Sequence, residues 1–237
     1  MRQLAARPEP IAFDPQRSAL VVVDMQNAFL SRGGLFDLAG FDLSAAQACI
    51  EVNARLLPEC RRAGVKIVYL QMSYRPDLSD GGDASSPNFH KELALVLMRQ
   101  RPELAGKLLV EGTWDWKIVD PLTPEPGDVV VRKSRYSGFC GTDLHARLDA
   151  LNVRHLFFTG VATNVCVEST ARDAFFAEFF PILVQDAMNH SGPEFTRLAT
   201  LWNFENVFGW VTDSAQLIET LQAPAPLRTA AATERAR

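Results

Sequence analysis

The sequence predicts an α/β fold, a three-layer α/β/α sandwich built on a six-stranded and mostly parallel sheet. Short runs rich in β-branched and aromatic residues alternate along the chain with stretches of helical length and apolar spacing. This alternation is typical of parallel strands, because each parallel connection needs a crossover of a dozen or more residues. The 237 residues, 47% of them hydrophobic, are enough to form one sizeable core. We therefore expect one domain.

Six short runs are predicted as strands because they consist mainly of Val, Ile, Leu and Phe, which favour extended backbone. In chain order they occupy residues 19–23, 65–70, 129–132, 155–159, 181–184 and 207–211. Several of these runs are continuously apolar, as expected of parallel strands that are buried on both faces.

The stretches between the strands are predicted as helices from their length and apolar spacing. They occupy residues 44–63, 142–151, 165–179, 193–202 and 214–221. Residues 73–88 are rich in Pro, Gly, Ser and Asp and predict a long loop, either a lid over a site or an irregular excursion. The domain is expected to span residues 1–222, followed by a disordered tail at 223–237 that is rich in Ala, Pro, Thr and Arg.

Charge and hydropathy exclude several classes of partner. The formal net charge is −4 and the pI is near 5.6, with acidic and basic residues interspersed. Such a chain has no basic stripe to neutralise nucleic acid or an anionic membrane. The longest apolar stretches have strand length, and residues 1–8 lack the apolar core of a signal peptide. We expect a cytoplasmic protein that binds a small molecule.

The sequence predicts no cofactor and no metal. The first strand is followed by Asp24 and Met25 instead of a Gly-rich phosphate turn, so a dinucleotide is not expected. The histidines show no metal-ligand spacing. The four cysteines lack C-x-x-C spacing and are few, which predicts reduced thiols in place of disulfides.

Asp24 is the first candidate functional residue. Ligands of open parallel sheets bind in the crevice outside the carboxyl ends of the strands. Asp24 follows the buried run 19–23 directly, so its carboxyl is expected to enter that crevice partly desolvated, which suits general acid–base chemistry. The alternative is a turn or capping residue, since Asp is common where strands end.

Lys133 is the second candidate, because it follows the strand predicted at 129–132. A lysine in the same crevice as a carboxylate stays charged and stabilises negative charge nearby. Taken alone, Lys133 is better explained as a solvated basic strand end.

Cys166 is the third and most specific candidate. The strand at 155–159 passes through Gly160 into a short turn, where Thr163 or Asn164 is placed to cap the next helix. Cys166 then falls in the first helical turn, where the helix dipole and free N–H groups are expected to stabilise a thiolate and an oxyanion. The alternative is a small buried hydrophobic residue.

The other cysteines and histidines are weaker candidates. Cys49 and Cys60 lie inside a predicted helix and are interpreted as core residues, and Cys140 lies in a loop without an obvious base. His90 is a candidate substrate contact, although a surface or helix-capping role explains it better. Asp24, Lys133 and Cys166 remain the main candidates. They bring a carboxylate, an ammonium group and a thiol from three distant segments to one edge of the predicted sheet.

Three parts of the chain resemble the isochorismatase-like cysteine hydrolases. They are residues 21–29 (VVVDMQNAF), Lys133 at a strand end, and residues 160–170 (GVATNVCVEST). The resemblance covers nearly the whole domain. It implies the isochorismatase-like hydrolase fold with Asp24, Lys133 and Cys166 as a catalytic triad. It also implies a cis peptide bond between Val161 and Ala162, an oxyanion hole formed by the N–H groups of Ala162 and Cys166, and a homo-oligomer.

Within that family the chain is most similar to the ureidoacrylate (peroxyureidoacrylate) amidohydrolases of Rut-type pyrimidine utilisation. The similar stretches are residues 36–42 (FDLAGFD), 86–91 (SPNFHK), 112–116 (GTWDW), 135–139 (RYSGF) and 192–195 (GPEF). The chain departs from the pattern after the second strand, where an amide and a tryptophan are expected and Met72 and Tyr74 stand. If these two residues line the pocket, the preferred ureido compound differs.

The resemblance implies a reaction in which Asp24 accepts the proton of Cys166, the thiolate attacks a ureido carbonyl, and Lys133 supports the charge. The products are aminoacrylate and carbamate, which decays to ammonia and carbon dioxide. The sequence leaves open which C–N bond breaks first.

Four further residues are candidates for substrate contact, because a hydroxyl or a planar guanidinium suits a carboxylate or a urea group. For each one alone, a structural or surface role is the other interpretation. They are Tyr74, His90, Arg135 and Tyr136.

Two alternatives remain open on the sequence. One is a sister hydrolase of biuret, a carbamoyl amino acid or nicotinamide, although the segment Gln71-Met72-Ser73-Tyr74 lacks the Asp-x-His metal pattern usual in nicotinamidases. The other is a non-catalytic scaffold with the same fold, since a fold alone does not prove activity.

Overall fold

A computed structural model describes residues 1–224 of the chain. The part of the predicted disordered tail beyond Pro224 lies outside the described residues. The strands are β1 (Arg2–Leu4), β2 (Ile11–Phe13), β3 (Ser18–Val23), β4 (Lys66–Met72), β5 (Val129–Lys133), β6 (His155–Val161), β7 (Phe180–Asn189) and β8 (Trp210–Thr212). The α-helices are α1 (Asn27–Leu30), α2 (Leu35–Leu38), α3 (Ala46–Ala63), α4 (Pro87–Lys91), α5 (Leu93–Gln100), α6 (Leu144–Ala150), α7 (Glu168–Phe176), α8 (Glu194–Asn203) and α9 (Ser214–Gln222).

The predicted six-stranded parallel sheet is confirmed. Its strand order is β5-β4-β3-β6-β7-β8, and every neighbouring pair in it is parallel. Strands β1 and β2, which the sequence did not predict, form a separate antiparallel pair. The order reverses between β3 and β6, since β4 and β5 extend the sheet on one side and β6 to β8 on the other.

The hydrophobic core is divided by the sheet into two clusters. All six residues of β3 are buried, and they alternate between the clusters: Leu20 and Val22 face one, Val21 and Val23 the other. The first cluster contains residues of α3, α5 and α9, and the second contains residues of α6, α7 and α8. The arrangement is the predicted three-layer sandwich.

The structure differs from the sequence prediction near residue 207. The predicted strand 207–211 is only partly extended, because Phe204–Phe208 form a π-helical turn that continues α8 and β8 begins at Trp210. Phe208 packs against Phe175 and Phe204 there, so aromatic packing favours the helical turn over the strand. Similarly, the helix predicted at 165–179 begins as a π-helical turn at Thr163–Val167 and ends at Phe176.

The segment between β4 and β5 contains more helix than predicted. The loop expected at 73–88 is largely irregular, but it leads directly into α4 and α5, which the sequence analysis missed. Glu92 separates these two helices and caps α5 with its side chain. This segment closes over the carboxyl end of the sheet, where the candidate site lies.

Candidate active site

The candidate site lies where the strand order reverses, at the carboxyl ends of β3, β5 and β6. This switch point is where open α/β sheets bind their ligands. Val23 of β3 pairs with Gly160 of β6, so the turns that follow these strands are adjacent. Only glycine fits at position 160, because its φ is +104° and an added Cβ would lie 2.0 Å from the carbonyl oxygen of Val23.

Asp24 is fully buried at the end of β3. Its backbone adopts a positive φ of 48°, and its N–H donates to the carbonyl oxygen of Leu70 at 2.9 Å. Oδ1 accepts from the N–H of Met72 at 2.9 Å. Oδ2 accepts from Nζ of Lys133 at 2.7 Å. One oxygen of the carboxylate is thus bound by a residue of β4 and the other by a residue of β5.

Gln26 supports the same arrangement. Its Oε1 also accepts from the N–H of Met72, at 2.9 Å, so this one N–H is shared between Asp24 and Gln26. Its Nε2 donates to the carbonyl oxygens of Met72 at 2.9 Å and Trp116 at 2.7 Å. The side chains of Asp24 and Gln26, which follow β3, therefore hold the backbone of Met72 in place.

Lys133 is the last residue of β5, and its side chain has no exposed surface. Besides Asp24, Nζ contacts the carbonyl oxygen of Arg135 at 3.3 Å and Sδ of Met72 at 3.7 Å. Lys133 is therefore not a solvated strand end, the alternative that the sequence left open. A buried ammonium group needs a partner of opposite charge, and Asp24 is that partner.

Cys166 lies in the π-helical turn at Thr163–Val167, directly before α7. The residue is 6% exposed and lines a cavity of about 190 Å³, so its sulfur is accessible to a small ligand from inside the protein. The Val161–Ala162 peptide bond is cis, as the family resemblance implied. The carbonyl oxygen of Ala162 accepts from the N–H groups of Val165 at 2.9 Å and Val167 at 3.2 Å.

The three side chains predicted from the strand ends lie together. The Cys166 thiol is close enough to both Asp24 and Lys133 for each of these groups to affect its pKa. Oδ2 of Asp24 and Nζ of Lys133 lie 2.7 Å apart, although the two residues are 109 positions apart in the chain. A carboxylate, an ammonium group and a thiol in such contact can exchange a proton and stabilise developing charge.

Burial controls the protonation of this cluster. It raises the pKa of the Asp24 carboxyl, against the opposing effect of Lys133. Burial lowers the pKa of Lys133, but the attraction of Asp24 and Cys166 outweighs it and raises that pKa overall. Burial also raises the pKa of the Cys166 thiol, and Lys133 offsets this only in part.

The pKa of Cys166 corrects one expectation. The helix N-terminus was expected to favour a resting thiolate, but desolvation of the buried sulfur is the larger effect. A neutral thiol needs a base before it can act as a nucleophile. Asp24, with its raised pKa, is the group beside it that can take the proton.

The wall of the cavity is mainly apolar. Its lining residues are Phe29, Leu35, Phe36, Phe41, Met72, Glu92, Leu93, Tyr136, Ala162, Val165, Cys166 and Ser191. Of the two positions at which the chain departs from the family pattern, Met72 lines the cavity. Tyr74 is fully buried and is not part of the lining.

The four candidate contact residues are placed differently. Tyr136 lines the cavity, and burial raises its pKa to about 12 with added effects of Glu92 and Cys166. Tyr74 lies behind the wall, where its hydroxyl accepts from Nδ2 of Asn88 at 3.3 Å. His90 is exposed and bonds to the carbonyl oxygen of Ala84 at 2.8 Å. Arg135 donates to the carbonyl oxygens of Asp80 and Ser134 and is not part of the lining.

Sequence reasoning missed Glu92, which lines the cavity and is 3% exposed. The available signal was an acidic residue at the start of the apolar run 93–98, which is the pattern of a helix N-terminus. The prediction that Cys49 and Cys60 are core residues is confirmed, since both are buried in α3. Burial raises the pKa of both thiols, to about 12 for Cys49.

Within residues 1–224, no group of three or more His, Cys, Asp or Glu side chains is arranged to hold a metal ion. Across the same residues, no helix combines the length and the apolar character needed to cross a membrane.

The comparisons with known proteins agree with one another. The model of the Isochorismatase domain matches residues 18–216. The chain is 52% identical over 227 residues to the ureidoacrylate amidohydrolase RutB of Cronobacter turicensis, covering 96% of this chain and 98% of the relative.

Two solved structures are similar in fold and sequence. A cysteine hydrolase from Pseudomonas syringae pv. phaseolicola 1448A has a TM-score of 0.74 and 28% identity, over 91% of this chain and 96% of that chain. An N-carbamoylsarcosine amidase from Thermoplasma acidophilum has a TM-score of 0.62 and 27% identity, over 84% of this chain and 96% of that chain.

Proposed function

The chain belongs to the isochorismatase family, and from this membership we propose that it is a cysteine amidohydrolase that cleaves ureidoacrylate or its peracid. From ureidoacrylate the products are aminoacrylate and carbamate, which decays to ammonia and carbon dioxide. The observation that carries the substrate is the 52% identity, over nearly the full length of both chains, to a ureidoacrylate amidohydrolase. The buried cluster of Asp24, Lys133 and Cys166 beside a small cavity supports the reaction type.

The first half of the proposed reaction forms a thioester. Asp24 accepts the proton of the Cys166 thiol, and the sulfur attacks the ureido carbonyl carbon. The N–H groups of Ala162 and Cys166 hold the oxyanion, and Lys133 stabilises the negative charge beside it. The bond from that carbon to the vinylic nitrogen then breaks. Asp24 returns its proton to this nitrogen, and aminoacrylate leaves.

The second half hydrolyses the carbamoyl thioester. Asp24 takes a proton from a water molecule, the hydroxide adds to the thioester carbonyl, and the C–S bond breaks. The sulfur recovers a proton, which restores the Cys166 thiol and releases carbamate. The buried Asp24–Lys133 pair keeps the base in place through both halves.

Product analysis tests this function directly. The purified protein is incubated with ureidoacrylate, biuret, an N-carbamoyl amino acid and nicotinamide, and ammonia and the amine products are quantified. We expect the highest kcat/KM with ureidoacrylate. A higher value with another compound would replace the substrate and keep the reaction type, and Met72 in the cavity wall is the feature that would explain it. No turnover of any amide would favour a non-catalytic scaffold.

Activity is expected to fall on acidification as Asp24 becomes protonated. The base form is the ionised carboxylate, and burial raises its pKa above the ordinary aspartate value of 3.8. The acid limb of the kcat/KM profile should therefore lie above pH 3.8, with activity present above this limb and lost below it. The measurement is kcat/KM across a pH series, with thermal unfolding recorded at each pH.

Asp115 provides a control for that pH profile. It is another buried carboxyl, and burial raises its pKa to about 6. Asp115→Asn should retain the acid limb of the wild-type profile. Disappearance of the limb in this variant would assign it to Asp115 and contradict the role of Asp24.

We also propose that the protein is a homo-oligomer in the cytoplasm without a nucleic-acid partner. The acidic net charge of −4 supports the absence of a nucleic-acid partner. Phe195, Leu198 and Trp202 support the first, because they share one face of α8 and are 68%, 52% and 61% exposed. Size-exclusion chromatography with light scattering tests this, and a monomer at all concentrations would contradict it.

A further inference from the structure

Glu92 is the one carboxylate in the wall of the Cys166 cavity, as far as residues 1–224 show. It stands between α4 and α5, is 3% exposed, and faces a lining of aromatic and aliphatic side chains. The reaction described above gives it no role. A carboxylate in such a wall is costly unless a ligand or the protein supplies hydrogen bonds to it.

The protein fixes the orientation of Glu92. Oε2 accepts from the N–H of Leu95 at 2.9 Å, which caps α5. The Tyr74 hydroxyl interacts with the same carboxyl, and Asn88 in turn donates to that hydroxyl at 3.3 Å. The carboxylate is thus held at the cavity wall by groups that lie behind it.

Glu92 lines the same cavity as Cys166, the residue that carries the reacting sulfur. The charge on Lys133 acts on Glu92, and both Glu92 and Cys166 act on Tyr136, which lines the same cavity. A molecule whose carbonyl carbon touches the sulfur therefore has Asp24 and Lys133 beside it, and Glu92 within the same small space.

We propose that Glu92 is the specificity-determining residue for the carbamoyl group, accepting hydrogen bonds from its terminal NH₂. This rests on the proposed function. A ureido group differs from an ordinary amide in having this NH₂ where the amide has carbon. Its two N–H donors lose water on entering an apolar cavity, and the carboxyl group of Glu92 supplies an oxygen that can accept hydrogen bonds from them.

Discrimination by such a contact has a known pattern. A site built to bond a substrate N–H or O–H rejects an analogue that lacks it far more strongly than an apolar pocket rejects a missing methylene. The proposal thus predicts a strong preference for carbamoyl over acetyl compounds, set by Glu92 rather than by the size of the cavity.

A pair of substrates with the same leaving group tests this. Ureidoacrylate and 3-acetamidoacrylate both release aminoacrylate, and they differ only in NH₂ against CH₃ on the attacked carbon. In the wild type we expect ureidoacrylate to have the larger kcat/KM. In Glu92→Gln the ratio of the two kcat/KM values should fall by at least about 10-fold. Glutamine keeps an oxygen for the N–H of Leu95, so α5 stays capped.

Tyr136→Phe is the matched control, because it removes another polar group from the same wall. It should keep the wild-type ratio within about twofold. An equal loss for both substrates in Glu92→Gln would overturn the proposal, since that result indicates a structural role or a contact with the substrate carboxylate. The same ratio change in Tyr136→Phe would also overturn it.

The two proposals fail in distinguishable ways. If the wild type does not hydrolyse ureidoacrylate, the proposed function is wrong. If it does, and Glu92→Gln keeps the ratio, only the role of Glu92 is wrong. Calorimetric binding of carbamoyl and acetyl analogues to Cys166→Ala, with and without Glu92→Gln, gives a second readout that needs no turnover, and an unchanged affinity ratio there also counts against Glu92.

Discussion

Cys166→Ala is expected to abolish hydrolysis, with kcat lowered by about 10⁴-fold or more. The sulfur is the only atom in the proposed reaction that forms a covalent bond to the substrate, so no neighbouring group replaces it. The residue lines a cavity and makes no ion pair, and its loss should leave the thermal unfolding temperature close to that of the wild type. Turnover and thermal unfolding of the purified variant measure both effects.

Cys140→Ser is the matched control for Cys166→Ala, because Cys140 is an exposed thiol away from the cavity. This variant should keep full activity. Acid quenching of the wild type during turnover should show the carbamoyl group on the peptide that contains Cys166. Activity retained in Cys166→Ala, or a carbamoyl group on another cysteine, would refute the thioester route.

Asp24→Asn is expected to lower both activity and stability. Loss of the base should reduce kcat/KM by about 10² to 10⁴-fold. The substitution also leaves the Lys133 ammonium buried without its partner, and breaking such a pair costs about 3–5 kcal/mol of unfolding free energy. Urea unfolding and steady-state kinetics of the same preparation provide the two measurements.

A double variant separates the two effects of Asp24. In Asp24→Asn with Lys133→Met both charges of the pair are removed, so much of the lost stability should return while activity stays low. The exposed pair of Asp143 and Arg147 provides a comparison, and Asp143→Asn should leave the unfolding free energy close to that of the wild type. If Asp24→Asn is as stable as the wild type, or if the two single effects simply add, the buried pair is not the cause.

The central sheet and the polar cluster at its edge were predictable from local sequence. Strand β3 is apolar at five consecutive positions before Asp24, a composition typical of a strand buried on both faces. Once β3, β5 and β6 are placed in a parallel sheet, their carboxyl ends share one edge. Asp24, Lys133 and Cys166 then follow from the order of the chain alone.

The wall opposite the sulfur was not predictable in the same way. Its position depends on hydrogen bonds between distant segments, such as those that Asp115 accepts from the N–H groups of Leu35 at 3.0 Å and Leu109 at 2.8 Å. Nothing in the local pattern around Glu92 indicates that α4 and α5 fold over the sheet edge. The same limit applies to the thiol, because the sequence shows its place before a helix and not how deeply the fold buries it.

Met72 has two separate functions, one through its backbone N–H and one through its side chain. The backbone of position 72 orients the base, whereas its side chain forms part of the space that the substrate enters. Exchanging that side chain leaves the backbone donor intact, so the range of accepted compounds can change while the base keeps this hydrogen bond. Position 72 is therefore the natural first choice for engineering this scaffold toward other ureas.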